Sequence, residues 1–294
     1  MNILRAAHLG MCFGVRDAIA LARREAAAGP VTVLGDLVHN EAVLAGLRAA
    51  GVRLARTLDD VATPRVLITA HGAGDATRAA VLARGHSLGE ATCPLVHHAH
   101  RALRDLVAQG FHPVVIGQRG HVEVRGLMED FPAADVVLTE ADIDALPFHP
   151  RFGVVSQTTQ PVARVRSLVA RLRARFPDAA VKSRDTVCQP TKQRQQAAEE
   201  LARRCDVVVV IGGAHSNNTR ELAATCGRFC PRVHHVQTAA DLRPEWFEPF
   251  DTVGITAGTS TPDDVITGVE QALRRLPPGE PETAWNATTQ TSPA

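Results

Sequence analysis

Short apolar runs that end in polar residues recur along the chain, each preceded by a longer helix-like stretch. VTVLGDLVHN (31–40), PVVIGQRGHVE (113–123) and DVVVVIGGAHSNN (206–218) read as buried parallel strands feeding polar loops. Helices are predicted before them, over 14–28, 96–109 and 191–204, and a cysteine stands just ahead of each: Cys12, Cys93 and Cys188. A second helix and a second strand follow in each unit, RVLITAHG ending at His71, RFGVVSQTT at Thr158 and DTVGITAGTST at Ser260.

The register of this repeat is regular. The first polar tips, His39, His121 and Ser216, lie 27, 28 and 28 residues after their cysteines, and the second tips, His71, Thr158 and Ser260, lie 59, 65 and 72 after them. Each unit reads cysteine loop, helix, strand, helix, strand, and short βαβ crossovers make the sheets mostly parallel. The expectation is an α/β protein of three pseudo-equivalent lobes, 10–92, 93–187 and 188–276, with residues 1–9 as an added strand free to join any sheet. Residues 277–294, rich in Pro and Thr and poor in aliphatics, read as an extended tail. Ligands of open α/β sheets bind beyond the carboxyl ends of the strands. Lobes facing one another by those ends would bring three cysteines and six polar tips into one central cavity.

Composition narrows the function. Among 294 residues, 45% are hydrophobic and 21% charged, which excludes a disordered or collagen-like chain. Lys and Arg (32) nearly balance Asp and Glu (31), so neither a nucleic-acid sleeve nor a membrane-surface binder is expected. No apolar run approaches the roughly 18 residues of a membrane span, and MNILRAAHLG lacks the apolar stretch of a signal peptide, so the expected location is the cytoplasm. Six cysteines in a reducing compartment are poor disulfide candidates, which leaves metal binding, redox chemistry or packing.

Thiolates suit zinc, Cu(I) and iron-sulfur clusters, but the close cysteine pairs of structural zinc sites and ferredoxins do not occur at these three positions. One cysteine per lobe points to threefold ligation, and a 4Fe-4S cluster held by three thiolates leaves one iron open to substrate; three packed thiols are the plain alternative. The strand tips favour an anion: His39, His71 and His121 offer nitrogen donors, and Ser216, Asn218 and Ser260 offer hydroxyl and amide groups, with no lysine nearby. Glu123 follows His121 by two residues, a spacing that on an extended segment places both side chains on one face and makes the carboxyl group a candidate proton donor. Cys205, Cys226 and Cys230 fall outside the register and are expected to pack, while His97, His98 and His100 are expected on a polar helix face. The single Gly-x-Gly of Gly72 and Gly74 is no nucleotide fingerprint.

With these residues in place the chain resembles the 4-hydroxy-3-methylbut-2-enyl diphosphate reductase family, the last enzymes of the methylerythritol phosphate route to isoprenoids. The motifs run along nearly the whole chain: GMCFGV at 10–15, GDLVHN at 35–40, AHG at 70–72, EATCPLV at 90–96, GHVEVRG at 120–126, QTT at 157–159, CQPTKQRQ at 188–195, SNNT at 216–219 and TAGTSTP at 256–262. The resemblance implies a trefoil of three α/β lobes around a 4Fe-4S cluster ligated by Cys12, Cys93 and Cys188. It implies that His39, His71, His121, Ser216, Asn218 and Ser260 surround the substrate diphosphate, that Glu123 and Thr158 lie near its hydroxyl, and that reduced ferredoxin or flavodoxin supplies electrons. Two positions depart from the family pattern: Asn217 stands where a second serine is frequent among the diphosphate contacts, and Met11-Cys12-Phe13 replaces the usual Phe-Cys-Ala.

Overall fold

The structure, a computed structural model, describes residues 1–276. The predicted tail, 277–294, lies outside the described residues. The chain opens with β1 (Asn2–Arg5), then α1 (Phe13–Ala28), β2 (Val31–Leu34), α2 (Glu41–Ala49), β3 (Arg53–Ala55), β4 (Arg65–Ile68), α3 (Asp75–Ala83) and β5 (Ser87–Glu90). It continues with α4 (Pro94–Ala108), β6 (His112–Ile116), α5 (Val122–Asp130), β7 (Asp135–Val137), α6 (Glu140–Asp144), β8 (Arg151–Ser156), α7 (Val162–Arg175) and β9 (Ala180–Ser183). The last stretch holds α8 (Gln189–Ala202), β10 (Val207–Ile211), α9 (Asn217–Cys226), β11 (Arg232–Val236), β12 (Thr252–Ala257) and α10 (Asp263–Arg275).

Three four-stranded sheets result, ordered β3-β2-β4-β5, β7-β6-β8-β9 and β11-β10-β12-β1, and every pairing is parallel. The fold is an α/β trefoil of three equivalent sheets. β1 pairs with β12 from Asn2 against Thr252 to Arg5 against Ile255, and so fills the place that β5 and β9 occupy in the other two sheets.

Two of the sheets have two strands more than the sequence predicts, and the third, whose β1 the sequence anticipates, has one more. The added strands are three to five residues long and all lie at sheet edges, as in Arg53–Ala55, Ser87–Glu90 and Ala180–Ser183, where exposed polar residues leave no apolar run to read. The central strands are legible because both faces are covered. In β10, Val207, Val209 and Ile211 pack with Ile266, Val269 and Leu273 of α10, while Val208 and Val210 pack with Ala198 and Ala202 of α8 and Leu222 of α9. The alternation of period two thus serves two separate helix layers.

Cys226 and Cys230 are buried in that second layer and Cys205 packs against it, as the sequence suggests. The histidines of α4 do not share one polar face as the sequence suggests. His98 is exposed and His97 half-buried, but His100 is buried, with Nδ1 3.4 Å from Oδ2 of Asp130 at the end of α5. Val96, Ala99, His100, Leu103 and Leu106 form one buried stripe at helical spacing, so His100 faces inward with a carboxylate to meet it.

Candidate functional site

Each of the three cysteines is the N-cap of a long helix, Cys12 of α1, Cys93 of α4 and Cys188 of α8. Their backbone amides are tied by one repeated rule. The N–H of Cys93 donates to Ala70 O (3.1 Å), that of Cys188 to Thr158 O (2.9 Å) and that of Cys12 to Thr259 O (3.0 Å). Those carbonyls lie just beyond β4, β8 and β12, the corresponding strands of the three sheets. Every lobe therefore fixes the cysteine of the next, and the ring closes on Cys12. The negative forms of Cys12 and Glu123 oppose ionisation of both Cys93 and Cys188, so these groups share one neighbourhood. Gly14 shows how tight it is, since a Cβ there would sit 2.5 Å from Cys93 Sγ.

Burial pushes the Cys188 thiol up to about 11 and raises that of Cys93, against the hydrogen bonds they receive. Bare thiolates are therefore unfavourable, whereas a cation that displaces their protons would meet three ligands at three positive helix ends. The donor set, three thiols at helix N-termini, fits a thiolate-bound metal centre.

The strand tips converge beside the cysteines. His39 and His71 stack with ring centres 4.4 Å apart, and His121 stands edge-on to both at 5.3 and 5.4 Å. His39 precedes the N-cap of α2, His121 is the N-cap of α5 and Ser216 is the N-cap of α9, so three further helix N-termini open here. Ser260 reaches His39 O at 3.5 Å, and Gly213 comes so near that carbonyl that a Cβ would collide with it. Ser216, Asn217, Asn218, Thr219 and Ser260 are all buried. His71 Nδ1, Asn218 Nδ2 and Thr219 Oγ1 are buried without a partner, which is the condition of groups arranged for a polar ligand. Asn217 instead gives its Nδ2 to Thr159 Oγ1 at 3.3 Å.

Burial drives the imidazoles toward neutrality: His121 falls to about 3, also through His39, and His71 falls well below its ordinary value through burial, His39 and His121. An anion would reverse that cost and draw protons onto them. Arg220 and Arg125 also act on His121, and Arg220 on His39. These arginines supply positive charge where the sequence shows no lysine nearby. Each lies four residues after a helix N-cap, a spacing that returns to the cap's own side of the helix.

Glu123 is 1% exposed. Its Oε1 accepts from Thr158 N at 2.7 Å and its Oε2 from Thr158 Oγ1 at 2.9 Å. Burial lifts the carboxyl group to about 7 despite both bonds. The reason given by sequence needs correcting, because 122–130 is helical rather than extended; Glu123 faces inward from the first turn of α5, where its own N–H donates to His121 Nδ1 at 3.2 Å. The structure thus gathers all six strand tips with Glu123 and the three cysteines. Among the described residues, the roles of Gly14, Arg125, Thr219 and Arg220 had no signal in periodicity or spacing alone.

An α/β trefoil that turns three helix-capping thiols, three imidazoles and one raised carboxyl group into a common interior has the donors of an enzyme site for an anion beside a thiolate-bound metal. A family model described as LytB protein matches residues 3–274, and the chain belongs to the LytB family. A 4-hydroxy-3-methylbut-2-enyl diphosphate reductase of Pelobacter propionicus is 35% identical over 271 residues, covering 92% of this chain and 96% of that one. One from Aquifex aeolicus is 34% identical over 286 residues, covering 95% and 98%. Among solved structures, the E-1-hydroxy-2-methyl-but-2-enyl-4-diphosphate reductase of Plasmodium falciparum superimposes with a TM-score of 0.89 at 25% identity, covering 94% of this chain and 89% of that one. A second, described as (E)-4-hydroxy-3-methyl-but-2-enyl diphosphate reductase, the terminal enzyme of the non-mevalonate pathway, gives a TM-score of 0.67 at 34% identity, covering 93% and 99%.

Proposed function

We propose that this chain is the reductase that removes the hydroxyl group of 4-hydroxy-3-methylbut-2-enyl diphosphate, giving isopentenyl and dimethylallyl diphosphates. Two electrons and two protons replace the C–O bond by a C–H bond and release water. Cys12, Cys93 and Cys188 would hold a 4Fe-4S cluster, which when bound supplies electrons and Lewis acidity at an iron without a protein ligand. His39, His71, His121, Ser216, Asn218 and Ser260 bind the diphosphate, with Asn217 beside them, and the three helix N-termini and Arg220 add to its charge balance. Thr158 orients Glu123, whose proton goes to the substrate. Buried Thr158, Glu123 and Ser260 keep the reacting end away from bulk water.

The observation that carries this reading is a carboxyl group raised to about 7 and fixed by Thr158, close enough to Cys93 and Cys188 to oppose their ionisation. A purely structural metal site needs no such acid. We assign the lobes 10–92, 93–187 and 188–276, each carrying the strands of one sheet apart from β1. The electron donor assigned is a reduced ferredoxin or flavodoxin in the cytoplasm, a setting that suits six free cysteines. No helix among the described residues is long and apolar enough to cross a membrane. Anaerobic purification with iron and sulfide assays, and turnover under a chemical reductant, tests the assignment; a protein free of iron, or a loaded one inert toward this substrate, rejects it.

The pH dependence follows from Glu123. Its carboxyl group is raised to about 7, so the acid form is full below that value and is lost as pH rises through it. Turnover at saturating substrate is expected to be level on the acid side and to fall about tenfold per unit on the alkaline side. A rate that climbs steadily from pH 6 to 9 would contradict this. A second expectation concerns Gly14. Gly14→Ala should lower bound iron severalfold while far-ultraviolet circular dichroism stays native, because the new methyl group meets Cys93 Sγ at 2.5 Å and displaces one ligand only.

A further inference from the structure

Arg194 lies on α8, the helix that Cys188 caps, and is only 7% exposed. Its Nε and Nη2 both donate to Gly10 O, at 2.9 and 2.6 Å, and its Nη1 donates to Pro190 O at 3.0 Å. Gly10 belongs to the loop that leads to Cys12 and holds φ at +75°, where glycine is favoured. The fork therefore joins the loop of one cysteine to the helix of another.

All of its hydrogen bonds go to backbone carbonyls, and no carboxylate lies within ion-pair reach among the described residues. Buried Asp251, by contrast, pairs with Arg232 at 2.5 Å. A buried guanidinium without a counter-ion is costly. Burial works against the Arg194 charge, Arg16 adds to that opposition, and the groups whose negative forms sustain it are Cys12 and Cys188. Carbonyl dipoles satisfy its donors, and the two carbonyls it grips belong to Gly10, two residues before Cys12, and Pro190, two residues after Cys188, so the fixed charge is held between those two cysteine positions.

We propose that Arg194 is the built-in counter-charge of the thiolate-bound centre, a positioning residue that stabilises the centre's electron-loaded form and so raises its reduction potential. The inference rests on the reading that Cys12, Cys93 and Cys188 hold a redox cluster. An added electron makes the centre more negative, and a fixed cation beside two of its three ligands favours that state over the oxidised one.

The test uses the whole protein, purified anaerobically with its cluster, as wild type, Arg194→Gln and Arg194→Lys. Iron and sulfide content, pyrophosphate affinity and a redox titration followed by electron paramagnetic resonance are measured. Arg194→Gln is expected to keep its iron and its pyrophosphate affinity while disfavouring reduction at least about tenfold, which is about 59 mV for one electron. Arg194→Lys is expected to recover most of that shift. A loaded Arg194→Gln protein at the wild-type potential overturns the proposal. Should Arg194→Gln lose its iron, Arg194→Lys decides: loaded at the wild-type potential it upholds the counter-charge, whereas a lowered potential or lost iron makes Arg194 a guanidinium clamp and overturns it. Wild-type protein without iron would instead refute the cluster reading itself, so the two failures are distinct.

Discussion

Glu123→Gln is expected to keep its iron and bind pyrophosphate with little change while losing at least about 10²-fold in turnover. The amide has the size of the carboxyl group, and its oxygen can still accept from Thr158 N or Thr158 Oγ1, the two bonds at 2.7 and 2.9 Å that hold Glu123 now. Its NH2 end would face the other donor, a local cost that the conservative shape limits. What the amide cannot do is release a proton. If Glu123 only shapes the pocket, most of the rate survives the exchange; if it is the acid, a contribution of about 10² to 10⁴ goes with it. Diphosphate affinity is expected to rest elsewhere, on the imidazoles whose rings lie 4.4 to 5.4 Å apart and on buried Ser216, Asn218 and Ser260. Thr158→Val should show a smaller loss in the same parameter, because it removes one bond to Glu123 and leaves its proton. Wild-type turnover in Glu123→Gln would transfer the acid's role to water or to the substrate's own phosphate.

The second large effect divides the cysteines into two groups. Cys12→Ser, Cys93→Ser and Cys188→Ser are each expected to lose the cluster and with it all measurable turnover, since a hydroxyl group at a half-buried helix end ionises far less readily than a thiol. Cys205→Ser, Cys226→Ser and Cys230→Ser should retain iron and activity. Burial holds Cys226 up at about 12 and Cys205 at about 11, and Cys226 and Cys230 pack among Ala198, Val208 and Leu222, so these thiols behave as small apolar groups. Serine in their place should cost stability of about 1–3 kcal/mol, read as a lower melting temperature with unchanged iron per chain. Near-normal iron in any member of the first group would break the ligand assignment.

The three-lobed plan was legible because its central strands are covered on both faces, so that VVVVI in β10 and PVVI in β6 announce themselves as apolar runs. Apart from β1 the edge strands were not, because segments such as SLGE and AVKS contribute backbone pairing and little buried surface. The site was legible wherever the repeat placed a residue at a strand tip, as with His39, His121 and Ser216. It was illegible where function depends on contacts that span lobes: nothing in the spacing says that Gly14 must yield to Cys93 or that Arg194 must reach Gly10. Glu123 was found on an incorrect local conformation, and the first turn of α5 explains its direction better than an extended segment does.

The placing of β1 bears on how the chain is made. Its hydrogen-bonding partner is β12, which begins at Thr252, so β1 is made long before its neighbour. At about 5–20 residues per second, synthesis leaves that edge open for tens of seconds, while the sheets of β2 to β5 and β6 to β9 can already close upon themselves. Arg5, a charged residue in a four-residue strand, limits association with other nascent chains during the wait. Cys12 is fixed by Thr259 O only when the same late segment arrives, so of the three cysteines Cys12 is the last to be positioned, and a cluster held by all three would load only after that segment is made.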